Sequence, residues 1–157
     1  MLTPDGKQLI FSSNRSGSPN LYIKGVESTE EKLLLGGSAA AFIESMSPDG
    51  RTVLFRRLTS GAQNDIYSVR VSGGTPTPIV TSPFNDIQPV FSPSGRWIAY
   101  SSDESGRYEV YVTDYPPNGS RVQISTDGGT QPVWRGDEKE LFYVAPGDRI
   151  TSVAIEE

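Results

Sequence analysis

Residues 47–55 read Ser-Pro-Asp-Gly-Arg-Thr-Val-Leu-Phe, and this stretch decides the fold. Proline presets φ, the Asp49 side chain bonds the nearby backbone and Gly50 accepts a positive φ, so Pro48, Asp49 and Gly50 predict a tight turn. The three apolar residues after Thr52 form a short run bounded by turn signals, which is typical of a buried strand. The stretch therefore predicts a turn that leads into a strand.

The same combination of turn and apolar run occurs four times in the chain. The turns are Pro4-Asp5-Gly6-Lys7, Pro48-Asp49-Gly50-Arg51, Pro93-Ser94-Gly95-Arg96 and a degenerate copy, Gly136-Asp137-Glu138-Lys139. Successive copies begin 44, 45 and 43 residues apart. A period of this length is typical of a four-stranded propeller blade or of a two-helix solenoid repeat.

The segments between these turns favour strands over helices. Each complete repeat holds four short apolar runs. A polar turn is predicted between the run that follows the repeated turn and the next run, at residues 14–17, 59–61 and 104–106. Residues 27–35 are the one plausible helix, but their place in the repeat favours a loop followed by a strand. Four strands in about 44 residues make a propeller blade. We therefore predict an all-β fold, a β-propeller segment of four-stranded antiparallel blades.

The strand count indicates fourteen strands, or about 3.5 blades, from a larger propeller. We predict blade 1 at about residues 1–40 without its inner strand, blade 2 at about 41–82, blade 3 at about 83–126 and blade 4 at about 127–157 without its outer strand. A four-bladed ring that lacks two strands is the alternative. Repeat proteins need polar caps at their ends, and none is visible in the sequence. We therefore predict self-association through the open blade ends, for example as two chains that complete one ring.

The composition excludes several kinds of chemistry. The 157 residues include 16 glycines and 12 prolines but no cysteine and no histidine, and the formal net charge is −5. Disulfides, thiolate nucleophiles, zinc fingers and a Ser-His-Asp triad are therefore excluded. The basic residues are dispersed, so we expect no nucleic-acid partner. No apolar stretch is long enough to cross a membrane, so we expect no direct membrane insertion. We also expect no cofactor.

The repeat resembles a known family. Its pattern, Ser-Pro-Asp-Gly-Lys/Arg, three apolar residues, Ser-Ser-x-x-x-Gly and Ile/Val-Tyr-Val, is similar to the TolB-like, WD-type propeller repeat and is seen at residues 47–55 and 92–112. Residues 84–112, 123–134 and 140–143 also resemble the C-terminal propeller region of bacterial serine/threonine protein kinases of the acidobacterial type. The glycine-rich loop, His-Arg-Asp and Asp-Phe-Gly motifs of a kinase domain are absent from the chain. The resemblance implies a non-catalytic sensing or docking propeller and a periplasmic or other extracytoplasmic location.

Three functions are compatible with this resemblance. We expect a non-catalytic scaffold that binds a protein or a small ligand, as part of a larger protein such as a bacterial serine/threonine kinase. The alternatives are the accessory gating propeller of a prolyl-oligopeptidase-like hydrolase and a fragment with no independent function. A kinase catalytic loop upstream of the chain would favour the kinase, and a Gly-x-Ser-x-Gly motif downstream would favour the hydrolase.

Two Gln-Pro pairs, Gln88-Pro89 and Gln131-Pro132, are the best candidates for a binding site. They fall on predicted inner strands, which line the channel of a closed propeller, and proline suits a strand with one free edge. We predict Asp86, Gln88 and Gln131 as binding residues on these strands. The glutamine amides are able to bind a ligand or a partner peptide, and equally to bond the backbone of a neighbouring blade.

The repeated aspartates Asp5, Asp49 and Asp137 have two interpretations. They are either ligands for an ion in each blade or residues that the turn itself needs. The third copy has Ser94 at this position, and a serine serves a turn but poorly replaces a carboxylate ligand. We therefore predict no metal site and assign eight residues to structural turns: Pro4, Asp5, Gly6, Pro48, Asp49, Gly50, Pro93 and Gly95.

Acidic pairs and aromatic series are the remaining candidates for chemistry. The pairs Asp103-Glu104 and Glu138/Glu140 fall at predicted hairpin tips, where no apolar pocket raises a pKa, so we predict no catalytic residue. The aromatic series form either a platform for carbohydrate or the packing between blades, and packing is favoured because adjoining blades need large residues at equivalent positions. The series are Phe11, Phe55, Tyr100 and Tyr143, and Tyr22, Tyr67 and Tyr111.

Overall fold

A computed structural model describes residues 1–59 and 63–156 of the chain. The predicted turn at residues 59–61 lies mostly outside the described residues. The strands, in chain order, are β1 (Gln8–Ser13), β2 (Asn20–Gly25), β3 (Glu31–Leu35), β4 (Ala41–Met46), β5 (Thr52–Leu58), β6 (Asn64–Arg70), β7 (Thr77–Val80), β8 (Asp86–Phe91), β9 (Trp97–Ser102), β10 (Glu109–Asp114), β11 (Arg121–Gln123), β12 (Thr130–Trp134), β13 (Glu140–Ala145) and β14 (Arg149–Ala154).

The strands form four antiparallel sheets, and each sheet is a simple meander. Sheet 1 is β1-β2-β3, sheet 2 is β4-β5-β6-β7, sheet 3 is β8-β9-β10-β11 and sheet 4 is β12-β13-β14. Residues 31–35, the end of the segment considered as a helix, form β3. The prediction of an all-β fold with four-stranded antiparallel blades is confirmed. Over residues 1–59 and 63–156, no helix is long and apolar enough to cross a membrane.

The repeated turn holds its aspartate by local hydrogen bonds. The Thr3 hydroxyl donates to Oδ1 of Asp5 at 2.6 Å, and the backbone N–H of Lys7 donates to the same oxygen at 3.0 Å. The same two bonds, at 2.6 and 3.0 Å, recur in the second copy at Ser47, Asp49 and Arg51. The glycine position has a φ between 69° and 75° in three copies, Gly6, Gly50 and Gly95. These aspartates are thus engaged by their own turns, and in the described part of the chain no cluster of acidic side chains is placed to hold a metal ion.

The fourth turn uses a glutamate where the others use glycine. Glu138 has a φ of 62°, in the left-handed region that few side chains adopt. Its carboxylate accepts a hydrogen bond from the backbone N–H of Ser94 and lies 3.5 Å from Nη2 of Arg96, both in the preceding turn. Burial raises the pKa of Glu138, but these hydrogen bonds outweigh burial and bring the pKa below its usual value. Glu138 therefore links the turns of sheets 3 and 4.

Neighbouring sheets pack face to face through three apolar clusters. The cluster between sheets 1 and 2 contains Ile10, Leu21, Ile23, Ala41, Val53, Phe55 and Val69. The cluster between sheets 2 and 3 contains Leu54, Ile66, Phe91, Ile98, Tyr100 and Tyr111, and the cluster between sheets 3 and 4 contains Ala99, Val110, Trp134 and Leu141. The core thus lies between the sheets, so each sheet depends on its neighbours for burial.

The aromatic series pack within and between sheets. Three pairs stack across two strands of one sheet, with ring centroids 5.7 to 5.9 Å apart: Phe11–Tyr22, Phe55–Tyr67 and Tyr100–Tyr111. In sheet 4, Tyr143 faces Thr151 instead. Trp97 of sheet 3 stacks on Trp134 of sheet 4 at 5.9 Å and joins the two sheets.

Candidate functional site

The Gln-Pro pairs lie at β-bulges in the inner strands of sheets 3 and 4. In β8 and in β12 the register shifts by one residue at this pair, so two residues face one on the next strand. Gln88 has a φ of 56° and Gln131 a φ of 54°. A non-glycine residue in this region stores backbone strain, and such outliers concentrate at functional sites. The bulge therefore marks the same position in two neighbouring inner strands.

The side chain of Gln88 joins sheets 3 and 4. Its Oε1 accepts a hydrogen bond from the backbone N–H of Gln131 at 2.9 Å and one from the Ser101 hydroxyl at 3.1 Å. Of the two roles considered for this amide, the structure shows the bond to the backbone of the neighbouring sheet. The structure therefore brings Gln88 and Gln131 together, but the contact is between the side chain of Gln88 and the backbone of Gln131.

The side chain of Gln131 has a different environment. It is exposed, and it makes no hydrogen bond within the described part of the chain. Its amide has two donors and an acceptor, so it is able to pair with a peptide group of a partner. Gln131 is thus the inner-strand residue with the most accessible polar group.

Glu44 is a third member of this site that sequence reasoning missed. The register of β4 also shifts between Ile43 and Ser45, so Glu44 lies at the equivalent bulge of sheet 2. Nε of Arg56 donates to Oε1 of Glu44 at 2.7 Å. Burial raises the pKa of Glu44, and the Arg56 guanidinium partly offsets this shift. The 45-residue spacing between the second and third turns aligns Glu44 with Pro89 and Ile43 with Gln88, so the repeat gave no signal for a polar residue at this place.

Asp86 lies at the start of β8, beside the site but facing inward. Its side chain is 1% exposed, and the Ser82 hydroxyl donates to Oδ2 at 2.7 Å. Burial raises the pKa of Asp86 and the nearby carboxylates of Asp65 and Glu104 raise it further, while hydrogen bonds from Ser102 and Ser82 oppose them. The exposed amide of Gln131 is therefore better placed than Asp86 to meet a partner.

Replacing Gln88 with alanine should destabilise the chain more than the same change at Gln131. Both residues have a positive φ, so the backbone cost is matched, but only Gln88→Ala removes side-chain hydrogen bonds. We expect Gln88→Ala to lower the free energy of unfolding by about 1 kcal/mol more than Gln131→Ala, measured by urea denaturation. Equal losses would show that the bond between the sheets contributes nothing.

The variant Asp86→Asn should change the pH dependence of stability. A raised pKa means that the folded chain holds this proton more tightly than the unfolded chain, whose value is near 3.8. The stabilisation that comes from protonated Asp86 is fully present below the unfolded pKa and is lost as pH rises through the folded pKa. We expect the stability of the natural chain relative to Asp86→Asn to be higher near about pH 4 than near about pH 7 in thermal denaturation.

Asp5→Asn is the matched control for this measurement. The hydrogen bond from Thr3, and then that from the backbone N–H of Lys7, lowers the pKa of Asp5. Its contribution is therefore present above the unfolded pKa and lost as pH falls, which is the opposite sign. The same trend for both variants would contradict the burial of Asp86 as the cause.

Four antiparallel meander sheets that pack face to face define a protein of the β-propeller class. The family model described as TolB beta propeller domain matches residues 1–157, and the chain belongs to this family. A TolB homolog from Chlorobium luteolum is 29% identical over 72% of this chain and 25% of its own length. The chain spans between 25% and 52% of the length of the curated relatives that it matches.

Solved structures share this fold at low sequence identity. A TolB candidate from Agrobacterium tumefaciens superposes with a TM-score of 0.86 at 19% identity, over 98% of this chain and 60% of that one. A prolyl endopeptidase superposes with a TM-score of 0.72 at 14% identity, over 98% of this chain and 26% of that one. These likenesses establish the architecture of the chain.

Proposed function

We propose that this chain is a non-catalytic interaction scaffold that binds an extended peptide of a partner protein at its inner strands. One observation carries the proposal: strained glutamines occupy the same bulge in two neighbouring inner strands. Bulges re-aim side chains beside binding sites, and rigid strands position them.

The polar groups of the site suit a peptide better than a charged ligand. The Gln131 amide offers both donors and an acceptor, which match the N–H and C=O of a peptide backbone. The Glu44 carboxylate is half-buried and paired with Arg56, and Asp86 is buried, so the accessible surface at these positions is dominated by neutral amide chemistry. Because the glutamine side chain is neutral, it does not require a particular charge on the partner peptide.

The absence of catalysis is part of the proposal. The sequence has no histidine or cysteine to activate a nucleophile or to serve as one. Membership of the TolB propeller family and the scaffold character of the fold support the same conclusion. Cleavage of peptides by the purified chain, monitored by mass spectrometry with a heat-denatured control, would contradict it.

The context of the scaffold is also proposed. The resemblance to kinase propellers favours a sensing or docking region attached to a bacterial serine/threonine kinase, with an extracytoplasmic location. The structural likeness to a prolyl endopeptidase keeps the gating propeller of a hydrolase as the second candidate. A kinase catalytic loop upstream or a Gly-x-Ser-x-Gly motif downstream in the open reading frame discriminates between them.

Selection of peptides tests the binding site directly. Random-sequence peptides displayed on phage are selected on the immobilised chain, and the affinity of enriched peptides is measured by isothermal titration calorimetry. We expect Gln131→Ala to raise the dissociation constants of these peptides about tenfold, because one or two hydrogen bonds are lost. Gln8→Ala is the matched control, because Gln8 is an exposed glutamine on β1 and lies away from the bulges.

Two results would contradict the inner-strand site. One is a set of enriched peptides whose affinity is unchanged by Gln131→Ala. The other is equal weakening by Gln131→Ala and Gln8→Ala, which would indicate a surface effect without a specific site. Circular dichroism and denaturation midpoints confirm that each variant is folded before binding is compared.

A further inference from the structure

The junction of sheets 2 and 3 contains an open cleft of about 400 Å³, a volume in the range of small-molecule sites. Both sheets have four strands and a neighbouring sheet on each side, so the walls of this cleft lie wholly inside the chain. Three strands of sheet 2 and the connection after β10 line it, chiefly through Thr52, Ser68, Arg70, Thr77, Tyr115 and Pro116. We call it the sheet 2–3 cleft.

The hydroxyl side chains of sheet 2 face sheet 3 across this cleft. Leu54 and Ile66 belong to the cluster between the two sheets. Thr52 and Ser68 lie two residues away on the same strands and therefore share that face. Thr77 is the partner of Ser68 on β7, so it lies on the same face as well. The hydroxyls of three adjacent strands thus form one polar wall.

Ser68 occupies a place that is apolar in the neighbouring sheets. It follows Tyr67, which is the second-strand partner of the repeated aromatic position. The equivalent residues are Ile23 in sheet 1 and Val112 in sheet 3, and both pack in the clusters with the following sheets. The serine therefore leaves a polar opening at a place that the other two junctions fill with an apolar side chain.

The Ser68 hydroxyl is buried without a partner in the chain. The residue is 4% exposed and lines the cleft, and its hydroxyl makes no hydrogen bond to any residue that the structure describes. A buried hydroxyl without a hydrogen bond costs free energy, and a ligand that bonds to it would remove this cost. Because a hydroxyl both donates and accepts, a hydroxyl group of a ligand suits it.

Arg70 supplies a positive charge at the mouth of the cleft. It is exposed at the end of β6 and forms no ion pair within residues 1–59 and 63–156. Its charge adds to the effect of the Ser47 and Arg51 hydrogen bonds, which lower the pKa of Asp49, but the Asp49 carboxylate is held by its own turn. A guanidinium pairs well with a carboxylate, so Arg70 favours an acidic ligand.

The wall that sheet 3 contributes is apolar and fixed in place. The ring of Tyr115 packs edge-on against Phe91, with ring centroids 5.0 Å apart, and Pro116 follows it. These rings offer flat apolar surface across from the hydroxyls of sheet 2. A ligand that fits both walls carries hydroxyl groups and also has an apolar ring face.

We propose that the sheet 2–3 cleft binds a sugar acid, that is, a cyclic sugar that carries a carboxylate. The carboxylate pairs with Arg70, the ring hydroxyls bond to Ser68 and Thr77, and the apolar face of the ring packs on Tyr115. A sugar ring is of the right size for the cleft. This site is separate from the peptide site at the inner-strand bulges and shares no residue with it.

Titration of the isotope-labelled whole chain with D-glucuronate, followed by NMR, tests the proposal. We expect the backbone amide signals of Gly73, Gly74 and Thr77, which line the cleft, to shift with one dissociation constant of about 1 mM or below. D-glucose lacks the carboxylate and inorganic phosphate lacks the sugar ring. Both should bind at least about tenfold more weakly, because each loses one set of contacts.

Two substitutions test the polar groups separately. We expect Arg70→Met to raise the dissociation constant of D-glucuronate at least about tenfold, and Ser68→Val to raise it about fivefold. Ser68→Val should keep the fold, since Val112 has the equivalent place in sheet 3, and its urea midpoint checks this. Arg51→Met is the matched control, because Arg51 is exposed nearby, does not line the cleft and carries the same charge.

Four outcomes would overturn the proposal. The first is the absence of shifts at the cleft amides at ten times the expected dissociation constant. The second is binding of D-glucose or of phosphate as tight as that of D-glucuronate. The third is an affinity that neither Ser68→Val nor Arg70→Met changes, and the fourth is equal weakening by Arg51→Met. Peptide binding at Gln131 is measured separately and does not depend on any of these results.

Discussion

Replacing Phe55 with alanine is expected to lower the free energy of unfolding by about 3 to 5 kcal/mol. Phe55 is fully buried in the cluster between sheets 1 and 2 and stacks on Tyr67 at 5.9 Å. Its removal deletes a large apolar area and leaves a cavity that two packed sheets cannot easily close. Domains of this kind are stable by only about 5 to 15 kcal/mol, so the loss should be evident as a large fall in the urea midpoint.

Phe11→Ala is the matched control for this prediction. Phe11 has the equivalent position in sheet 1 and the same 5.9 Å stack, with Tyr22, but no sheet covers it from outside. We expect Phe11→Ala to cost about 1 to 2 kcal/mol, because only part of the ring is removed from water. Both changes are measured at the same protein concentration, so that any association contributes equally to the two. Equal losses would show that the stack within one sheet, and not the packing between sheets, stabilises the ring.

Glu109→Ala is expected to cost about 2 to 4 kcal/mol of unfolding free energy. Glu109 is 1% exposed at the start of β10, and its carboxylate accepts hydrogen bonds from Nε of Arg107 at 2.7 Å, the backbone N–H of Gly128 at 2.9 Å and the Ser125 hydroxyl. Ser125 and Gly128 belong to the connection from sheet 3 to sheet 4. Removing the carboxylate leaves their donors unpaired and loosens that connection.

The pH dependence of this contribution follows from its pKa. Burial raises the pKa of Glu109, but the hydrogen bonds from Ser125, Gly128 and Arg107 outweigh burial and hold the pKa below the usual 4.5. The stability that Glu109 contributes is therefore present above that value and is lost as pH falls through the folded pKa. The difference between the natural chain and Glu109→Ala should shrink on acidification, as followed by thermal denaturation.

Asp127→Ala separates the buried carboxylate from the ion pair on the surface. Asp127 also pairs with Arg107, at 3.3 Å, but its side chain is 89% exposed. Exposed pairs contribute about 0 to 1 kcal/mol, so Asp127→Ala should be close to neutral. A loss as large as that of Glu109→Ala would mean that the Arg107 charge, rather than the buried bonds, holds the connection.

The positions of most strands follow from the repeat. The turn at Pro48, Asp49 and Gly50 and the apolar run after Thr52 predict a strand, and β5 (Thr52–Leu58) is observed there, because turn residues and a short apolar run are local information. The bounds of β11 (Arg121–Gln123) and β14 (Arg149–Ala154) are less evident from the sequence. Both strands lie at the edge of their sheets, so their ends depend on pairing with one neighbouring strand, which the local sequence does not encode.

The candidate site was only partly accessible to sequence reasoning. Proline beside a polar residue indicated Gln88 and Gln131, but the left-handed φ and the bulge arise from the register between two strands. Glu44 was missed because it aligns with Pro89 rather than with Gln88, and no proline accompanies it in the sequence. The inward orientation of Asp86 also needed the sheets, because its side chain is buried beside β9, where its partner in the register is Ser102.

The sequence by itself determined the period, the turns and the alternation of apolar residues, and hence four antiparallel sheets of one kind. Those features depend on φ preferences and on side chains a few residues apart. Only the tertiary structure decided which equivalent positions are covered. Leu21, Ile66, Val110 and Ile150 occupy the same place in their sheets, yet three are fully buried and one is 80% exposed. The difference is the presence of a following sheet, because burial belongs to the contact between two surfaces and not to either one alone.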